Sequence, residues 1–180
     1  MAPSINNHRY PFDLSVVLPV YNEEDNVRPV HDELTGVLGD LDLRYEIIYV
    51  DDGSSDSSAR QIDELARENP DTVRAVLLRR NFGQTAAIQA GIDHANGAII
   101  ALMDADLQND PHDIPLMLEQ METEGYDLVS GWRKNRQDRA LSRKLPSHIA
   151  NRLISTVTRV QLHDYGCTLK TYRREVLDHV

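Results

Sequence analysis

The sequence predicts an α/β domain with a mostly parallel central sheet flanked by helices. Three observations lead there. Short apolar runs rich in β-branched residues alternate with stretches of helical period, joined by brief connections. The length, 180 residues, suits one domain or a large piece of one, and 41% hydrophobic residues is too many for a disordered chain. Three of the apolar runs pass directly into acidic or hydroxyl-rich clusters, and parallel sheets bind ligands beyond the carboxyl ends of their strands.

Each element has its own signal. Leu14–Val20 reads as a first buried strand, preceded by a polar extension over residues 1–13. Asn26 is placed to cap the next helix, Pro29 is tolerated in its first turn, and Val27, Val30, Leu34, Val37 and Leu38 fall on one face. Glu46–Val50 is a second strand, and Ser55 or Asp56 opens a helix through Ile62 and Leu65 that closes near Asn69 and Pro70. Val73–Leu78 is a third strand. Thr85–Ala95 is helical, and its Ala87, Gly91 and Ala95 recur every four residues, a bare face able to lie close on a sheet. Ala98–Met103 is a fourth strand, Pro111–Glu124 a helix, Asp127–Ser130 a short strand and Ile149–Val160 another helix. Tyr172–Val180 reads as the start of a further helix without a stop signal, so a longer parent protein is expected.

Composition narrows the function classes. A net charge of -10 argues against general binding to phosphate backbones. A single cysteine, Cys167, rules out an internal disulfide and is read as buried and inert. The longest uninterrupted apolar run, Ala98–Met103, is far short of the roughly 20 residues that cross a bilayer. The first residues lack the apolar core of a signal peptide, so an intracellular setting is expected. The charge is uneven: between Arg133 and Arg152 seven basic residues face only Asp138, which makes this segment either a solvated face or a site for a phosphate or an acidic membrane surface. His31, His94, His112, His148, His163 and His179 lack metal-ligand spacing with one another and are read as solvent-facing or loop residues. Trp132 fits either a core or an interfacial edge near lipid.

The three clusters carry the chemistry. In Asp104-Ala-Asp-Leu-Gln108, side chains two apart in extended backbone point the same way, so Asp104, Asp106 and then Gln108 can face one ligand. Two carboxylates so placed repel, and a divalent cation that also grips a diphosphate relieves the repulsion; an acidic loop capping the next helix is the alternative. In Val50-Asp-Asp-Gly-Ser-Ser-Asp56, Asp52 can accept hydrogen bonds from a nucleobase or ribose, or the segment is a turn and a cap. In Pro19-Val-Tyr-Asn-Glu-Glu24, Tyr21 can stack on a base while Glu23 bonds its edge or the ribose, or the segment is simply a turn leading into a helix.

Together with Arg80-Asn-Phe-Gly-Gln84, Ser130-Gly-Trp-Arg133 and the stretch Asp164 to Arg173, these clusters resemble the signature segments of family 2 glycosyltransferases. The branch they resemble most acts on polyprenyl phosphates and includes dolichol-phosphate mannosyltransferases and bacterial undecaprenyl-phosphate glycosyltransferases. The resemblance runs from about Leu14 to Val180. It implies a GT-A fold, inverting transfer from a UDP- or GDP-linked sugar to a lipid phosphate, and Mg²⁺ or Mn²⁺ as cofactor. It implies that residues 14–180 form the catalytic domain without its membrane-associated part, working at the cytoplasmic face of a membrane. By position, Pro19, Tyr21, Glu23, Val50 and Asp52 would hold the nucleoside. Asp104 would lie by the ribose and the metal, and Asp106 and Gln108 would ligate the metal at the diphosphate. Arg133 is the first choice to grip the acceptor phosphate, since a guanidinium can do so with two parallel hydrogen bonds; Arg139, Arg143 and Lys144 come next. Asp164 is placed to assist or orient the acceptor. Asp106, Arg133 and Asp164 are thus the residues expected to carry catalysis.

Other readings compete. A family 2 enzyme acting on a sugar or protein hydroxyl in polysaccharide or cell-envelope synthesis would usually carry an acidic base, often in a Glu-Asp pair. No such pair lies between Asp106 and Val180, and the Gln-X-X-Arg-Trp motif of processive synthases is missing. A phospho-receiver domain needs a lysine at a later strand end, but the first lysine is Lys134. A dinucleotide-binding oxidoreductase is disfavoured because no Gly-X-Gly-X-X-Gly follows the first strand.

Overall fold

The structure, a computed structural model, describes residues 9–131 and 168–177. The apolar runs form β1 (Phe12–Val20), β2 (Tyr45–Asp51), β3 (Val73–Leu77) and β4 (Gly97–Leu102), which are mutually parallel. Between them run α1 (Val27–Gly39), α2 (Ser58–Glu68) and α3 (Gln84–His94), followed by α4 (Asp113–Thr123) and β5 (Leu128–Ser130). The described chain closes with β6 (Lys170–Arg173) and a single helical turn, α5 (Arg174–Leu177). The sheet order is β3-β2-β1-β4-β6-β5, and β6 lies antiparallel to both of its neighbours. The α/β architecture expected from the alternation is therefore present.

Strand periodicity sorts the side chains into two layers. Leu14, Val16, Leu18 and Val20 of β1 join Ile47 and Tyr49 of β2 in the layer packed with Val30, Leu34 and Leu38 of α1, Ile62 and Leu65 of α2, and Ile114 and Leu118 of α4. The intervening Val17, Ile48, Val50, Ile100 and Leu102 face α3, with Ala87 buried among them and Tyr172 and Leu177 at the margin. The bare face of α3 lies against the sheet: a Cβ on Gly91 would stand 2.3 Å from Val17 Cγ1 and 3.1 Å from Val50 Cγ2.

Four local expectations change. The polar extension ends earlier than Asp13, because β1 begins at Phe12 and the buried Asp13 pairs with Arg44 at 2.7 Å. Asn26 occupies the cap position of α1, but its side-chain amide donates to Glu23 Oε2 (2.6 Å) rather than capping the helix. The stretch read as an opening helix begins as β6, with Thr171 fully buried between β4 and β5. His31 is not solvent-facing. It is buried on α1 with Nδ1 3.2 Å from the Tyr49 hydroxyl, and burial lowers its pKa while pushing that of Tyr49 up. The helix expected over Ile149–Val160 lies outside the described residues, as do Trp132, His148, His163, Cys167 and His179.

Candidate functional site

The period-two alternation that builds the layers also aims the site. Pro19 and Tyr21, Asp52, and Asp104 and Asp106 continue the set of positions that faces α3, and they lie where that layer runs out, at and beyond the carboxyl ends of β1, β2 and β4. A cleft of about 370 Å³ opens there. It is lined by Pro19, Val20, Tyr21, Glu23, Asp52, Asn81, Gly83, Gln84, Ala87, Asp104, Ala105 and Asp106. Three segments far apart in the sequence thus meet in one concavity, as the strand-end reading requires.

Each side chain is held by an identifiable local structure. Asp52 is 3% exposed, and its two oxygens accept the backbone N–H groups of Phe82 (2.7 Å) and Gly83 (2.9 Å). That pair ties the β3–α3 loop across the end of β2. Gly83, at φ 94, takes a conformation that side chains rarely adopt and turns the chain into α3. At the next residue, Gln84 Nε2 donates to Asp104 Oδ1 at 2.8 Å, so the start of α3 reaches from Asp52 to Asp104 and forms a wall of the cleft. Asp106 Oδ1 accepts the N–H of Gln108 (3.1 Å) across Leu107, whose φ of 59 marks a tight reversal. Glu23 is half-buried and receives the Asn26 amide, whereas Tyr21 is 48% exposed.

Two of the expected residues do not line the cleft. Val50 is fully buried beneath α3 against Gly91, so its side chain belongs to the apolar layer. Gln108 is exposed, one residue past the reversal at Leu107. Arg133, Arg139, Arg143, Lys144 and Asp164 lie outside the described residues. Conversely, Asn81, Gly83 and Gln84 line the cleft without having been assigned a role. Their one sequence signal was the Arg80-Asn-Phe-Gly-Gln84 motif, which carried resemblance but no chemistry.

The donor set around Asp104 and Asp106 fits a hard divalent cation. Carboxylate oxygens of two residues on one strand end share the cleft, and the second oxygen of Asp106 has no hydrogen bond among the described residues. A second group of oxygen and nitrogen donors, Glu33, Asp110 and His112, gathers on the exposed surface with ligand atoms within 4.8 Å of one another. There Asp110 accepts the His112 N–H at 2.9 Å, a bond that keeps its carboxyl below the usual carboxylate range.

The mostly parallel sheet flanked by helices, with the cleft at its strand ends, is the GT-A architecture of glycosyltransferases. Residues 15–180 match the family model described as glycosyl transferase family 2, and the chain belongs to that family. It is 48% identical over 168 residues to the dodecaprenyl-phosphate galacturonate synthase of Rhizobium johnstonii, covering 93% of this chain and 50% of that protein. It is 47% identical over 165 residues to the undecaprenyl-phosphate 4-deoxy-4-formamido-L-arabinose transferase of Klebsiella pneumoniae, covering 92% and 50%. The chain therefore spans about half the length of the curated relatives it matches. Among solved structures, glucosyl-3-phosphoglycerate synthase from Mycobacterium tuberculosis in complex with Mn²⁺, UDP and glucosyl-3-phosphoglycerate superimposes with a TM-score of 0.69 at 23% identity, over 93% of this chain and 58% of that one. The mannosyltransferase PcManGT from Pyrobaculum calidifontis, with GDP-Man and Mn²⁺, gives 0.66 at 21% identity, over 99% and 48%. No helix among the described residues is long and apolar enough to cross a membrane.

Proposed function

We propose that this chain is the donor-binding and catalytic part of a glycosyltransferase that moves a sugar from a nucleotide diphosphate sugar to a polyprenyl phosphate at the cytoplasmic face of a membrane. The observation that carries the reading is the meeting of Tyr21, Glu23, Asp52, Asp104 and Asp106 in one cleft. The reading of the acceptor is supported by relatives named for dodecaprenyl and undecaprenyl phosphate, at 48% and 47% identity.

The residues divide the work by chemistry. Tyr21 offers an aromatic face to a base, and Glu23 and the edge of Asp52 offer acceptors for its polar groups or the ribose. Asp104 and Asp106 would hold Mg²⁺ or Mn²⁺, with Gln108 the nearest further oxygen donor in sequence. When bound, that cation offsets the negative charge growing on the departing diphosphate. An acceptor phosphate oxygen forms the new bond to the anomeric carbon from the opposite side, as the bond to the diphosphate breaks and its electron pair leaves with the nucleotide. A phosphate monoester has its second pKa near ~6 and is largely a dianion at neutral pH, so no general base is required of the protein. It does need cations to approach a second phosphate group. Arg133 supplies the bidentate grip, supported by Arg139, Arg143 and Lys144, while Asp164 orients the acceptor.

The test is a transfer assay with labelled UDP- and GDP-sugars and Mn²⁺, offering polyprenyl phosphate in detergent against free sugars, beside direct nucleotide binding by the same chain. Metal-dependent nucleotide binding, with any labelled product on the lipid phosphate, is expected. Product on free sugars alone would move the acceptor to the hydroxyl class, and failure to bind any nucleotide would overturn the reading.

A further inference from the structure

The β1–β2 ladder ends at the pair Val20 and Asp51, with one last bond from the Asp52 N–H to the Val20 carbonyl (2.8 Å). Beyond it the two loops stay joined by side chains. The consecutive N–H groups of Asn22, Glu23 and Glu24 donate to Ser54 Oγ (2.9 Å), Ser58 Oγ (2.9 Å) and Asp56 Oδ2 (3.1 Å). In return, Asn22 Oδ1 accepts the N–H of Ser55 (2.8 Å) and its hydroxyl (3.2 Å), and Glu24 Oε2 accepts the N–H of Ser57 (2.9 Å). Asn22 sits at φ 55, the left-handed region that asparagine tolerates better than most side chains.

Tyr21 and Glu23 flank this residue on either side. The Tyr21 side chain is half exposed and makes no hydrogen bond among the described residues, so no polar contact of its own holds it in place. The backbone on its carboxyl side is fixed by Asn22, through both the left-handed turn and the bonds of Oδ1 to Ser55.

We infer that Asn22 is a positioning residue: its side-chain oxygen, docked on Ser55, holds Tyr21 and Glu23 at the nucleoside end of the cleft. This rests on the reading of the cleft as a nucleotide-sugar site. Asn22 touches no substrate in this role, and it acts through its two neighbours.

Three variants separate the side chain's two contributions. Asn22→Asp keeps an oxygen acceptor and tolerates the left-handed turn. Asn22→Gly keeps the turn and removes the acceptor. The third, Asn22→Gly combined with Tyr21→Ala and read against Tyr21→Ala alone, asks whether the effect passes through Tyr21. Affinity for UDP and for GDP is measured by calorimetry with Mn²⁺, beside the melting temperature of each chain. Asn22→Gly is expected to weaken nucleotide binding about tenfold, a coupling of the size two contacting residues show. Asn22→Asp is expected to bind like the unsubstituted chain. In the Tyr21→Ala background, the Asn22→Gly loss should shrink by at least about half. An Asn22→Gly chain that binds as well as the unsubstituted one, or an undiminished loss in the Tyr21→Ala background, would overturn the inference alone. An unsubstituted chain that binds neither nucleotide would instead overturn the reading of the cleft, and the inference with it.

Discussion

Gly91→Ala should destabilise the chain even though the same change in an exposed helix interior stabilises by about 0.8–1.0 kcal/mol. The added Cβ would lie 2.3 Å from Val17 Cγ1, where non-bonded carbons prefer roughly 3.5–4.0 Å. Val17 is fully buried and β-branched, so its methyl cannot swing away, and α3 must lift from the sheet or the strand must give. Overpacking of this kind costs about 1–3 kcal/mol. At the upper end, less the gain in helix propensity, the net loss is about 2 kcal/mol, or roughly 4–8 °C in melting temperature for a domain of this size. The lift also reaches the cleft, because Gly83, Gln84 and Ala87 belong to the same end of α3. Urea melts of the unsubstituted chain, Gly91→Ala, Val17→Ala and the double variant form a closed cycle. Val17→Ala removes two buried methyls and should itself cost about 1.6 kcal/mol, yet the double variant should be more stable than the sum by about 1–2 kcal/mol. A Gly91→Ala chain as stable as its parent, or strictly additive losses, would refute the close packing of α3.

Further perturbations separate the site from its scaffold. Asp52→Ala would strand the Phe82 N–H, while the Gly83 N–H keeps its bond to Asn81 Oδ1 (3.0 Å), and should cost about 1–3 kcal/mol in a urea melt, with loss of nucleotide binding as the wall at Gln84 loosens; unchanged binding would detach that wall from the site. Glu46→Ala acts at the opposite end of the sheet, where the buried carboxylate accepts the Ser15 hydroxyl, the Asn96 N–H and Arg74 Nε. It should cost a comparable ~1–3 kcal/mol while leaving nucleotide affinity within about twofold, and calorimetry on the two variants side by side checks the contrast. Burial lowers the pKa of His31, so in acid the unfolded chain binds the proton more readily than the folded one. Stability from this residue is therefore full above about pH 6.5 and falls as the pH drops below it. Thermal melts across that range should show the slope in the parent and a reduced slope in His31→Gln, and equal slopes would assign the acid sensitivity elsewhere.

Much of the site was legible because one rule, the period of two, governs both the core and the strand ends. The parity that sends Val17, Ile48 and Ile100 toward α3 sends Tyr21, Asp52 and Asp106 into the same cleft. Val50 obeys that parity too, but it comes one step too early and is covered by Gly91. His31 could have been read from spacing, four residues after Val27 and three before Leu34, on the buried face of α1. β6 was harder, since in Lys-Thr-Tyr-Arg only Thr171 is fully buried, and its pairing joins strands about 40 and 70 residues away. The wall at Asn81–Gln84 and the bonds between the first two loops rest on backbone N–H groups meeting side-chain oxygens across 30–35 residues, and on the Gln84 amide reaching Asp104. Such contacts leave no periodic trace in a sequence, although serine and aspartate crowding at residues 54–58 is what they require.

The most direct test of a shared nucleotide and metal site is a calorimetric titration of UDP and GDP, with and without Mn²⁺, on the unsubstituted chain and on Asp106→Ala. Metal should tighten nucleotide binding to the unsubstituted chain and leave the variant's weaker binding unaltered. Equal tightening by the ion in both proteins would contradict the assignment of Asp106 and separate the metal from this cleft.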